Sequence, residues 1–139
     1  MTRPLSYQAL AQVLSQAERS VARRLSGLLE AHGSTIEQWR VLTLLADGHG
    51  HAMRELADYA FVPPPTLTRI VDRMIADSLV YRRVDPDDRR RVLIFASARG
   101  RKQHARLQRD IDTYGAELDG DLDLGALADL LNRLVERTE

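Results

Sequence analysis

From Tyr7 to Leu29, apolar side chains return every third or fourth residue, at Tyr7, Leu10, Leu14, Ala17, Val21, Leu25 and Leu28. That spacing lays one apolar stripe along a long helix. Gly33 ends the stripe, and Ser34 or Thr35 can cap a second helix, Thr35 to Ala46, with Ile36, Trp39, Leu42 and Leu45 turned inward. Asp47-Gly48-His49-Gly50 is a stop, after which Met53 to Ala60 forms a short helix with Leu56, Ala57 and Ala60 inward. Beyond Leu79 the period shortens. Leu79 to Val84 and Val92 to Ala96 read as short apolar strands joined by a turn rich in Asp and Pro. Helical spacing then resumes from about Ser97 to Leu118, through Leu107, Ile111, Tyr114 and Leu118, and again from Leu124 to Glu136, through Leu124, Leu127, Leu131 and Leu134.

Between the short helix and the hairpin lies Phe61-Val62-Pro63-Pro64-Pro65, then a helix from about Pro65 to Asp77. Proline suits the first turn of a helix, where its missing N–H breaks no internal hydrogen bond and its φ is already set. Two helices of about two and three turns, separated by four or five residues, make a helix-turn-helix. The second carries Thr66, Thr68, Arg69, Asp72 and Arg73 on polar positions and Leu67, Ile70, Val71 and Met74 inward. Such a helix reads a groove: Arg69 can bind guanine bidentately, and Thr66 or Thr68 can meet a phosphate or a thymine methyl.

Charge strengthens that picture. The formal net charge is zero, yet residues 66–109 hold 12 Lys+Arg against 5 Asp+Glu and residues 110–139 hold 2 against 9. Charge runs are often solvated helix faces, but this one coincides with a hairpin whose tip carries Arg89, Arg90 and Arg91 in a row. A basic hairpin directly after a reading helix has the shape and sign of a DNA-contacting wing.

The remaining composition mostly excludes. With 139 residues and 44% hydrophobic content the chain can bury one ordinary core. It has no cysteine, so disulfides and thiolate metal sites are absent. The N-terminal residues carry no signal-peptide run and no stretch approaches a membrane span, so a cytoplasmic location is expected. His32, His49, His51 and His104 lack the carboxylate or cysteine partners of a metal pattern in sequence, and Asp85, Asp87 and Asp88 suit an Asp-Pro turn better than a Mg²⁺ site. No phosphate loop, nucleophile elbow or carboxylate pair is present, so neither an enzyme nor a cofactor is expected. Trp39 reads first as core packing, with a ligand pocket near His32, Trp39 and Arg40 as the other use.

The order of elements, with TLTRIVDRMIADSLVYRR and DPDDRRRVLIFASARG, resembles the MarR family of winged helix-turn-helix transcriptional regulators over essentially the whole chain. TIEQWRVLTLL is similar to the second helix of that family. The resemblance implies that Arg90 enters the minor groove and that Asp88 orients a neighbouring arginine. This chain departs in having Pro63-Pro64-Pro65 where a capping Ser is common, and Ser78 where a glycine usually ends the reading helix.

The expected fold is mainly α with a small β-hairpin wing, one domain over 1–139. Its winged helix-turn-helix lobe spans about 34–98, and its dimerisation helices span about 5–31 and 98–138. The outer helices exceed what a compact lobe needs, so their leucine stripes are expected to meet a second copy. The expected role is a homodimeric repressor on a near-palindromic double-stranded operator, open to a small-molecule effector. Its DNA contacts are expected from Pro65, Thr66, Thr68, Arg69, Arg73, Asp88, Arg89, Arg90 and Arg91. The alternative is a winged-helix module that docks its arginine-rich hairpin on an acidic protein.

Overall fold

The computed structural model describes residues 5–139. Six helices, α1 (Tyr7–Glu30), α2 (Ile36–Leu45), α3 (Met53–Ala60), α4 (Pro64–Ala76), α5 (Ala98–Leu118) and α6 (Leu124–Thr138), accompany three strands, β1 (His51–Ala52), β2 (Val80–Val84) and β3 (Val92–Ala96). The expected helices are all there, with ends within about two residues. Caps explain the boundaries. Ser6 accepts from the Ala9 N–H, Thr35 from Gln38 and Asp123 from Ala126, while Ser34 is buried instead of capping.

The α3–α4 turn is shorter than expected. It comprises residues 61–63, because Pro63 is the N-cap and both Pro64 and Pro65 are already helical. Phe61 closes α3 in the left-handed region at φ 57°.

The sheet has a strand that alternation does not announce. β1 pairs antiparallel with β3, His51 opposite Ile94 and Ala52 opposite Leu93, and β2 flanks β3 on its other side, with Val80 opposite Ala96 and Val84 opposite Val92. The wing is therefore stitched to the chain just before α3.

One core joins α2, α3, α4 and the sheet: Leu42 and Leu45 of α2, Leu56 of α3, Leu67, Val71 and Met74 of α4, and Ile94 of β3 are essentially inaccessible. Each such side chain contributes about 1.5–3 kcal/mol by leaving water. Val41, absent from the expected inward set, is also fully buried, while Ile36 and Trp39 are half-buried.

The chain divides into two compact units at Leu107 and Gln108, inside α5. The start of α5 belongs with the first unit because the Ser97 hydroxyl donates to the Ser78 carbonyl at 2.6 Å, Gly100 is buried and His104 bonds Thr43 at 3.1 Å. In the second unit α6 has no buried residue, and Leu122, Leu127, Leu130 and Val135 are about half exposed. In the first unit Leu29 is the one buried residue of α1, whereas Tyr7, Val13 and Val21 are exposed.

Candidate nucleic-acid interface

The first turn of α4 is set by its prolines. Pro63, Pro64 and Pro65 supply no N–H, and the Leu67 N–H is used by the Pro63 carbonyl at 3.0 Å. Thr66 is thus the first residue of the helix with an amide to offer a phosphate. Pro65 and Thr68 are exposed, and the Thr68 hydroxyl turns back to donate to the Pro64 carbonyl at 3.1 Å. Thr66, Arg69 and Arg73 line one shallow hollow of about 420 Å³ together with Thr35 and Gln38 from the start of α2. Three of the expected residues, Thr66, Arg69 and Arg73, therefore share a face, and Pro65 and Thr68 lie outside that hollow.

The wing turn is ordered by its own aspartates. The Asp85 carboxylate accepts from the Asp87 N–H at 2.9 Å, and that of Asp88 from the Arg90 N–H at 3.1 Å. The turn closes through Asp85 N–H to the Arg91 carbonyl at 2.8 Å and Arg91 N–H to the Asp88 carbonyl at 2.9 Å. These Asx-type bonds fit the turn role expected of the acidic run. Asp88 meets Arg90 through its backbone.

Sorting the cations by partner narrows the interface. Arg73 faces Asp77 at 3.5 Å, Arg91 donates to Glu55 at 3.0 Å, and Arg82 on β2 pairs with Asp72 on α4. Arg83 lies over the Tyr81 ring at 5.6 Å, itself stacked on Phe95. Among the described residues no carboxylate pairs with Arg69, Arg89 or Arg90, and all three are exposed. Among the arginines of α4 and the wing, these three have neither a carboxylate nor a ring partner.

A second charged group sits where β1 meets α3. His51, 13% exposed, places Nε2 2.7 Å from Asp47 and Nδ1 3.0 Å from Glu55. Burial opposes the ring's charge, but the two carboxylate hydrogen bonds outweigh it and raise the His51 pKa above 6.5. Glu55 is held below the ordinary 4.5 by its bond to His51 and then by the Ala52 N–H. Desolvation works against the Asp47 charge too, and the His49 N–H and His51 overcome it, so its pKa falls below 3.8. The i to i+4 steps Asp47, His51 and Glu55 were the sequence signal for this group. Arg82 and Arg91 had none, since their partners lie 10 and 36 residues away.

The three residues expected around a ligand do not meet. Trp39 and Arg40 line an open hollow of about 750 Å³ with Leu44, Tyr59 and Phe61. Arg40 donates to the Ala60 carbonyl at 3.4 Å and lies 5.3 Å from the Phe61 ring centre. His32 lines a separate hollow of about 550 Å³ with Arg99, Lys102, Gln103 and Arg106. Among the described residues no group of three His, Asp or Glu side chains forms a metal site, and no helix is long and apolar enough to cross a membrane.

Known proteins share this arrangement. The MarR family profile matches residues 32–91, from the end of α1 to the wing turn. The HTH-type transcriptional regulator FarR of Neisseria gonorrhoeae is 30% identical over 126 residues, covering 88% of this chain and 86% of that protein. The homoprotocatechuate degradative operon repressor of Escherichia coli is 26% identical over 130 residues, covering 94% and 88%. The crystal structure of NadR in complex with 4-hydroxyphenylacetate superposes with a TM-score of 0.81 at 27% identity, covering 96% and 97%. A winged helix-turn-helix with open arginines on reading helix and wing, matched by these regulators nearly end to end, makes the chain a member of the MarR family, a DNA-binding regulator of transcription and not an enzyme.

Proposed function

We propose that the chain works as a homodimeric repressor that seats two α4 helices in successive major grooves of a near-palindromic operator, with a wing beside each. The observation that carries this reading is the set Arg69, Arg89 and Arg90, exposed and without carboxylate partners while Arg73, Arg82 and Arg91 are ion-paired. Arg69 reads bases, Arg90 enters the minor groove, and Thr66 with Arg73 meets the backbone. Two copies are needed to cover the apolar faces of α1 and α6, which a lone chain leaves in water. Repression follows the E. coli relative, whose name is that of an operon repressor. Such a regulator acts where the chromosome lies, in the cytoplasm.

Effector control is part of the same reading. NadR was solved with 4-hydroxyphenylacetate, and the Trp39–Arg40 hollow offers an aromatic effector walls from Trp39, Tyr59 and Phe61, with Arg40 set beside the Glu55 and Asp58 carboxylates. An effector acts by favouring dimers whose reading helices no longer match the groove spacing of about 34 Å. Hydroxyl-radical footprinting on DNA from upstream of its own coding sequence tests the dimeric arrangement. Two protected patches about one helical turn apart are expected; a single short patch would contradict it.

A further inference from the structure

The wing turn is anchored at one end by a side chain. Arg91 has its N–H on the Asp88 carbonyl and its carbonyl on the Asp85 N–H, so its backbone closes the turn that displays Arg89 and Arg90. Its guanidinium leaves the turn and reaches Glu55, on the first turn of α3, at 3.0 Å. Glu55 is itself fixed. Its Oε1 also accepts from the Ala52 N–H at 3.3 Å, and its Oε2 bonds His51, whose other ring nitrogen is held by Asp47. His51 in turn lies opposite Ile94 in the sheet that carries the wing.

An ion pair about half exposed at both ends adds little to folding stability. What this pair does add is direction: a carboxylate gripped by donors on three sides ties the wing turn to the helix that packs under α4. We propose that Glu55 is a positioning residue for DNA binding, holding Arg91 against α3 so that Arg89 and Arg90 face the duplex while Arg91 contacts no phosphate. This rests on the reading in which the wing meets DNA, and it removes Arg91 from the contacts expected from sequence.

The test uses the full chain and a duplex of roughly 30 base pairs carrying the footprinted site, long enough for both half-sites. Affinity is measured across a salt series for the parent, Arg90→Ala, Arg91→Ala, Glu55→Gln and the Glu55→Gln/Arg91→Ala double variant. Glu55→Gln keeps the side-chain length and an acceptor for the Ala52 N–H. Arg91→Ala and Glu55→Gln should each weaken binding roughly 3–10-fold, and the double variant should be no weaker than the worse single one. Their log K against log salt slopes should equal that of the parent, whereas Arg90→Ala flattens the slope by about 0.9 per subunit. A general loss of folded protein leaves the slope unchanged but does not produce the coupling between the two sites.

Arg91→Ala flattening the slope as Arg90→Ala does, or losses that simply multiply, would overturn the positioning role and leave the DNA reading standing. If Glu55→Gln does not fold, Glu55→Asp, which keeps the charge but shortens the reach, takes its place in the double-variant comparison, and a flattened Arg91→Ala slope still overturns the role. A parent protein without salt-dependent affinity for duplex DNA overturns both.

Discussion

A Cβ placed on Gly100 would stand 2.1 Å from the carbonyl oxygen of Leu79, where the first wing strand leaves the reading helix. That oxygen also accepts the Ser97 N–H at 3.0 Å, and the Gly100 N–H bonds the Ser97 hydroxyl at 3.0 Å. The wing base and the start of α5 are thus in backbone contact, and a backbone atom cannot swing aside. Gly100→Ala should lower folding stability by about 1–3 kcal/mol, as overpacking does. Urea unfolding reads it directly, and an unchanged midpoint would mean the two segments separate without cost.

Ser78 ends the reading helix at φ 61°, a conformation that costs a non-glycine residue roughly 1–2 kcal/mol. Its carbonyl accepts the Ser97 hydroxyl, a bond that glycine would keep. Ser78→Gly should therefore stabilise by a few tenths to about 1 kcal/mol, after the extra freedom glycine gives the unfolded chain is subtracted. Phe61, also left-handed, is the less simple case, because its ring carries Arg40 and glycine would lose that contact. A melting temperature for Ser78→Gly at or below that of the parent would contradict the strain.

The His51 group makes stability depend on pH in a stated direction. The pKa of His51 is raised in the folded chain, so its contribution is complete below about 6.5 and is lost as pH rises through the folded value. Asp47 and Glu55 are lowered, so theirs is complete above about 3.8 and 4.5 and is lost as pH falls through the folded values. The stability difference between the parent and His51→Gln should thus be largest near pH 5.5 and shrink by pH 8. Urea titrations at the two pH values check it; a difference that grows with pH would put the histidine in its neutral form throughout.

The apolar face of α6 separates folding from assembly. Leu127 is 46% exposed in the single chain, so Leu127→Glu should leave its helices formed while placing a charge in the face that the proposed dimer would cover. Sedimentation should then report a folded monomer, with DNA affinity reduced by at least about tenfold because the two half-sites no longer act together. A Leu127→Glu protein that sediments as a dimer would move the interface elsewhere.

Local patterns made the helices legible from sequence. Apolar spacing located all six, the cap at Thr35 agreed, and the arginine-rich hairpin and its Asp turn fell where the short apolar runs put them. What escaped was non-local. β1 is a two-residue strand, too short for any period, and exists because β3 comes back to meet it. Arg91 sits in a run of three arginines with nothing to distinguish it until folding brings Glu55 to its side. Val41, next to Leu42, is buried because α2 is covered on two faces, which a single-stripe reading cannot anticipate. His32 and Trp39, close in sequence, look onto different hollows because a helix start and a turn intervene.

The central claim is that Arg69, Arg89 and Arg90 of two subunits meet one duplex. Fluorescence anisotropy with DNA from upstream of its own coding sequence, against scrambled DNA and across a salt series, measures it most directly. A dimer neutralising about 6 to 10 phosphates predicts tight, selective binding with a log K against log salt slope of roughly −5 to −9. Weak binding that is equal for both DNAs and flat in salt would contradict the account and leave the arginine-rich hairpin to an acidic protein partner.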